Sequence, residues 1–204
     1  RFSPMSKARR TFLVSLSAVI FVVLSVGNSR SQDIEASITV FGDTSKVKVA
    51  GRNPRSVNDG NLKSLSFLRS SIGAHDLGTR ISELTLTDSQ GRPVPHKRIS
   101  PTEFATSADF SRWSYAIDIT PLANMRAAAH VSWLNEGRGL LMLDDLLPQY
   151  SDPKGTSAVL AVEIPSGWSL HTSEKRSPDG RFAVANIERA VITLGKELRE
   201  SKLN

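Results

Sequence analysis

Cysteine is absent from this chain. Its absence excludes disulfides, thiol nucleophiles, thiolate zinc sites and iron–sulfur ligation, so the fold has to be held by its apolar core alone. Histidine is scarce: His75, His96, His130 and His171 are the whole supply. No two of them are four residues apart, and none opens an H-E-x-x-H motif, in which two histidines one helical turn apart share a zinc and the glutamate activates its water. There is no Gly-x-Ser-x-Gly elbow for a serine nucleophile. Internal repeats, low-complexity segments and a sustained helical period in the chain after residue 31 are missing too. The nearest to a helix is 123–130, rich in alanine after Pro121, which predicts at most one helical turn.

The one long apolar run lies at the start. Thr11 to Val26 carries no charge and follows Lys7, Arg9 and Arg10; small residues come after it at Gly27, Ser29 and Ser31. This is the layout of a secretory signal peptide, with Met5 as the expected start, Arg1–Pro4 as upstream read-through, and cleavage after Gly27, Ser29 or Ser31. The competing reading is an uncleaved anchor, which would be the chain's one membrane contact. As a helix the run reaches only about 24 Å against a hydrocarbon core of ~30 Å, so cleavage is favoured. The expected location is therefore exported, periplasmic or secreted.

The charge balance follows from the same segment. The formal net charge is +6, but residues 1–31 hold five of the 26 basic residues and no acid. The remaining 21 basic residues face 20 acids, a net of +1. A nucleic-acid partner is not expected, since such a protein keeps a basic face after processing. The expected organisation is a signal segment over 1–31, one β-rich domain over 32–199 and a polar tail or linker over 200–204.

Within that domain the apolar residues alternate. Ile34, Ala36, Ile38 and Val40 share one side; Val47 and Val49 continue the pattern; Trp113, Tyr115, Ile117 and Ile119 give its clearest instance. Strands are also predicted at 62–68, 81–86, 158–164, 182–184 and 191–194, and Ala129, Val131 and Trp133 repeat the alternation. Turns are predicted at 52–61, 89–93, 165–167 and 177–180, where Asn-Pro, Asp-Gly, Gly-x-Pro and Pro-Asp-Gly occur. The segment 70–78 is too glycine-rich for a regular element. Short strands at this spacing predict an all-β domain, a sandwich or one large curved antiparallel sheet.

The most distinctive stretch is 130–150, HVSWLNEGRGLLMLDDLLPQY. Two apolar runs flank Asn135-Glu136-Gly137-Arg138-Gly139, which predicts a hairpin with a five-residue loop, closed by Leu146-Leu147-Pro148. Together with Leu77-Gly78-Thr79-Arg80-Ile81, Trp113-Ser114-Tyr115, Pro165-Ser166-Gly167-Trp168 and the closing Ala190-Val191 with Gly195 and Leu198-Arg199, this block resembles the N-terminal domain of the glycyl-aminopeptidase family. These are thermolysin-like zinc metallopeptidases, often with a PDZ-like domain. The resemblance runs from about Ile34 to Arg199, and its specific part is His130–Gln149. It implies a β-rich, non-catalytic unit that packs against a zinc-binding catalytic domain. No catalytic or metal residue carries over, because the motif that holds them is missing. No cofactor is expected in this chain; zinc would belong to a catalytic domain in cis, encoded further along the gene.

The candidate interdomain or ligand surface is His130, Trp133, Leu140, Leu143, Asp144, Asp145 and Trp168. His130 reads as a surface or interdomain histidine, since no metal partner stands at ligand spacing. His75-Asp76 reads as turn chemistry rather than an oriented base. Asp144 and Asp145 read as a solvated turn or N-cap, because calcium wants six or more oxygens and few are near. Trp113 and Trp133 read as core, and Trp168, after Pro-Ser-Gly, as the most exposed of the three tryptophans. Leu140–Leu143 with Leu146 and Leu147 is either a core strand or the face that meets a catalytic domain. The alternative function is a free-standing cell-envelope module that holds peptide or protein at an exposed sheet edge.

Overall fold

A computed structural model of the chain describes residues 34–53, 63–124, 129–150 and 156–198. The expected signal segment, most of the expected 52–61 loop, part of the expected helical turn at 123–130 and the polar tail lie outside these residues.

The described chain is all-β, in three sheets. The largest runs in the order β12 (Lys175–Arg176), β13 (Phe182–Val184), β10 (Ala158–Glu163), β1 (Ile34–Val40), β2 (Lys46–Arg52), β7 (Arg112–Asp118), β4 (Ile81–Thr87). A four-stranded sheet runs β11 (Ser169–Thr172), β14 (Val191–Gly195), β9 (Arg138–Met142), β8 (Trp133–Asn135). A three-stranded sheet runs β3 (Ser64–Ser66), β6 (Glu103–Thr106), β5 (His96–Ser100). The alternation sets the faces. Ile34, Ile38, Val47, Val49, Tyr115 and Ile117 have no exposed surface, and they meet Leu65 and Phe104 of the small sheet and Leu134, Leu141, Ile192 and Leu194 of the four-stranded sheet in one core. Burying each such side chain is worth ~1.5–3 kcal/mol.

At the centre, Tyr115 is stacked on Trp113 (centroids 5.6 Å, 27°) and meets the edge of Phe67 at 5.0 Å. Gly51 sits opposite Trp113 for want of space: a Cβ there would come within 2.5 Å of the indole and 2.6 Å of the Glu35 carbonyl oxygen.

Several expectations need correction. The all-β class is as expected, with one addition: the large sheet is mixed, because β1 and β10 pair in parallel from Ile34↔Ala158 to Thr39↔Glu163. Alternation shows which face is buried but not which way a partner runs. The 129–133 alternation yields a strand only from Trp133. Val131 instead joins Ala74 and Leu77 in a satellite cluster, and Ser132 is buried. The hairpin loop is two residues, Glu136-Gly137, since Asn135 pairs with Arg138 and Leu134 with Gly139. Gly139 is a strand residue, where a Cβ would stand 2.7 Å from Leu134 Cδ1. The glycine-rich 70–78 segment runs into a 3₁₀ turn at Leu77–Arg80, and a single helical turn, α1 (Leu143–Leu146), follows β9. Strands β5, β6, β11 and β12 had no expectation behind them.

Candidate functional site

The 130–150 block is the hub of the fold's polar interior. Asp145, in α1, is buried with its side chain 1% exposed and pairs with Arg80 Nη2 at 3.0 Å, whose own side chain is 13% exposed. The same carboxylate accepts the Ser132 backbone N–H at 2.7 Å and the Ser132 hydroxyl at 2.5 Å. Ser132 Oγ in turn accepts the Met142 N–H at 2.8 Å. Arg80 is aimed by its own turn, donating Nε–H to the Leu77 carbonyl at 3.2 Å. A buried carboxylate is tolerated when it is paired and hydrogen-bonded in this way. The cluster clamps the 3₁₀ turn, the entry to β8 and α1 together. It contains no imidazole, and both carboxylate oxygens of Asp145 accept from Arg80 or Ser132, which makes the cluster a structural staple.

The expectation of a solvated turn at Asp144-Asp145 is therefore corrected. Asp145 is the buried anchor, and Asp144 Oδ1 accepts Gln149 Nε2 at 2.9 Å. The signal for this was present: Arg80 and Asp145 each lie in a segment that resembles the family. Their pairing is spatial, and the sequence does not show it.

A second polar thread fixes the end of the block. Tyr115 Oη donates to the Leu146 carbonyl. Trp113 Nε1–H donates to Tyr150 Oη at 3.2 Å, Tyr150 donates to Asn53 Oδ1 at 2.8 Å, and Asn53 Nδ2 donates to the Phe110 carbonyl at 2.8 Å. Burial raises the pKa of both tyrosines, that of Tyr115 well above its ordinary value. The two hydroxyls remain neutral donors.

The candidate surface divides accordingly. Leu143, Asp145 and Trp168 are buried within the chain, which corrects the expectation that Trp168 is the most exposed of the three tryptophans; Trp133, expected in the core, is. Leu141, Leu146 and Leu147 are fully buried as well, so most of the leucine run is core. His130 is exposed, at the edge of the described residues. Trp133 and Leu140 are half-buried and stay together: Trp133 pairs with Leu140, Leu140 with Thr193 and Thr193 with His171, one row across the four-stranded sheet on the side away from the core. The neighbouring pair on that side is Met142 with Val191, also half-buried. This sheet carries large apolar side chains on both faces, which a sheet with one solvated face does not. Among the described residues no group of three or more His, Asp or Glu stands close enough to hold a metal ion.

No protein-family model matches the chain, and no curated protein does. Solved structures resemble it to differing degrees. An aminopeptidase N family protein from Idiomarina loihiensis superposes with a TM-score of 0.62 at 16% identity, over 79% of this chain and 29% of that one. An M1 zinc metallopeptidase from Deinococcus radiodurans gives 0.46 at 14% identity, over 80% of this chain and 41% of that one. The aminopeptidase A of Legionella pneumophila gives 0.46 at 11%, over 80% and 21%. The chain thus spans less than half the length of each, and the first of these likenesses shows that its fold is one found as a part of an aminopeptidase N family protein.

Proposed function

We propose that this chain is the non-catalytic N-terminal domain of an exported zinc aminopeptidase-like protein, and that the outer face of its four-stranded sheet seats the catalytic domain in cis. The observation that carries this reading is the row Trp133–Leu140–Thr193–His171 with the neighbouring pair Met142–Val191, which puts four large apolar side chains, Trp133, Leu140, Met142 and Val191, on the outer face of a sheet whose inner face already fills the core. Apolar surface of that kind marks a contact with another unit. The fold likeness to a segment of a much longer aminopeptidase N family protein supports the same reading, and so does the family-like block His130–Gln149. Zinc and the water-activating glutamate belong, in this reading, to the catalytic domain. The finer assignment to glycyl-aminopeptidases rests on the sequence resemblance, of which that block is the specific part.

The edges of the seven-stranded sheet speak against the alternative, a peptide-holding edge, being placed there. β12 has two residues, and β4 carries a bulge between Ser82 and Thr85 with Glu83 at φ 55°. Short and bulged edges are how a sheet avoids adding a strand.

The test starts from the gene. The reading frame beyond the codon for Asn204 is sequenced, and a frame encoding H-E-x-x-H and a later glutamate is expected. In that longer protein, replacing Trp133 and Leu140 with aspartate should leave this domain folded and separate it from the catalytic domain in limited proteolysis. A frame without the zinc motif, or a doubly substituted protein that resists proteolysis as the wild type does, would refute the proposal.

A further inference from the structure

The outer face of the seven-stranded sheet has the opposite character from that of the four-stranded sheet. One row across it, following the register, is Ala161, Ser37, Ala50, Ser114 and Thr85, all of them small. The next row is Val159, Glu35, Arg52, Arg112 and Thr87. The small residues form a bare floor between this row and the row Glu163, Thr39, Lys48, Ala116 and Ser82 on its other side, and the result is a shallow open groove of about 470 Å³ lined by the first two rows and Arg181.

Its charges are not balanced from within. Arg52 and Arg112 are direct cross-strand partners on the same face, a like-charge pairing that destabilises a sheet. Glu35 offsets it only in part, standing 3.8 Å from Arg52 Nη1 with both side chains more than half exposed. Arg112 has no ion-pair partner among the described residues. Arg181 is held elsewhere, donating to Asp179 at 2.7 Å. Ser114 and Thr85 on the floor, and Thr87 beside Arg112, bring hydroxyls that make no side-chain hydrogen bond among the described residues. Arg112 is thus a guanidinium fork without an acceptor among the described residues, and its cross-strand partner Arg52 has only Glu35, at 3.8 Å. Guanidinium is the cation whose donor geometry fits a two-oxygen face of an oxyanion, and a local arrangement that costs stability without an internal reward is where a ligand is expected.

We propose that this groove binds a phosphate or sulfate group through Arg52 and Arg112. The group is either the free ion or an ester whose polar body lies on the Ser37–Ser114–Thr85 floor. The groove shares no residue with the staple at Asp145 and does not depend on the proposed peptidase role.

The experiment is a titration of the isotopically labelled domain at low ionic strength, where surface charge is least screened. The probes are inorganic phosphate, glucose 6-phosphate and glucose. Saturable shifts are expected at Ala50, Arg52, Arg112 and Ser114 with the two phosphates and none with glucose. Arg112→Gln and Arg52→Gln should each weaken phosphate binding at least ten-fold while their remaining spectra stay native. Arg112→Lys should fall between, since it keeps the charge and loses the fork. Lys48→Gln, on the same face but outside the groove, is the control and should bind as the wild type does. Tighter binding of the sugar phosphate assigns the ester as the source; equal binding assigns the free ion. Absence of saturable binding by either phosphate would overturn the proposal, as would an equal loss in Lys48→Gln.

Discussion

At the scale of single residues, Asp145 carries the sharpest consequence. Its carboxylate meets Arg80 and both donors of Ser132 in a site closed to solvent. Asp145→Ala leaves a guanidinium buried without a counter-charge and a backbone N–H without an acceptor. The expected cost is about 3–5 kcal/mol, the range for breaking a buried pair from one side. Urea unfolding at neutral pH measures it. The double replacement Arg80→Met with Asp145→Leu should recover much of that loss, because the unpaired charge is then gone. A single substitution costing under about 1 kcal/mol would mean the pair is in effect solvated. The tyrosines offer a test of a different kind. The chain has two, Tyr115 and Tyr150, and burial raises the pKa of both. Above the unfolded value of about 10 the unfolded chain loses protons that the folded chain keeps, so stability falls as pH rises past that point. Tyrosinate absorbance should therefore grow in one cooperative step together with the loss of near-ultraviolet circular dichroism. A gradual titration near pH 10 in a chain that stays folded would show that a hydroxyl is accessible.

The elements show how far the chain's pattern could be read and where it stopped. Strands β1, β2, β7, β10, β13 and β14 stood out because each alternates and buries one face. Strand β5 did not: His96, Lys97, Arg98 and Ile99 are all exposed, with Ile99 at 55%. It exists because β6 offers a ladder and because Arg98 ties it down, donating to the carbonyls of Gly78 at 3.2 Å, Pro101 at 3.1 Å and Ile81 at 2.7 Å, with its guanidinium over the Phe104 ring at 4.5 Å. Such ties are long-range and leave no period behind. The site was legible to the same extent. The block 130–150 could be recognised as distinctive, but which of its residues face inward depended on register and on Arg80, fifty residues and more away. The three-stranded sheet and the 3₁₀ turn meet at Gly78. A Cβ there would stand 2.4 Å from the Pro101 carbonyl oxygen and 2.7 Å from Thr102 Cα, and backbone cannot step aside as a side-chain tip can. Gly78→Ala is expected to cost about 1–3 kcal/mol, the range for overpacking, with hydrogen exchange rising first at the amides of Thr102 and Ile81. Unchanged exchange at both would show that the contact relaxes freely.

For the whole molecule the decisive feature is how late the chain completes its own sheets. β1 is the first described strand, yet the partner on one of its sides, β10, begins at Ala158. In the four-stranded sheet, β9 has β14 for its second partner, from Val191↔Met142 to Gly195↔Arg138. Leu160, Phe182, Val184, Ile192 and Leu194 enter the same core as Ile34 and Tyr115. A chain that stops at Tyr150 would keep the 130–150 block and every strand from β1 to β9. It would lose one flank of β1, one flank of β9 and the aliphatic side chains that cover Leu134 and Leu141. Each large side chain left uncovered forfeits ~1.5–3 kcal/mol, against a total stability of ~5–15 kcal/mol for a domain of ordinary size. Local order in the hairpin β8–β9 cannot offset that, since a two-stranded hairpin is marginal alone. The fragment ending at Tyr150 should therefore show poor dispersion of its amide resonances and bind a hydrophobic dye, while the chain through residue 198 should unfold in a single cooperative transition. A fragment with native dispersion would mean that residues 34–150 form a cooperative unit of their own, with the later strands added to it.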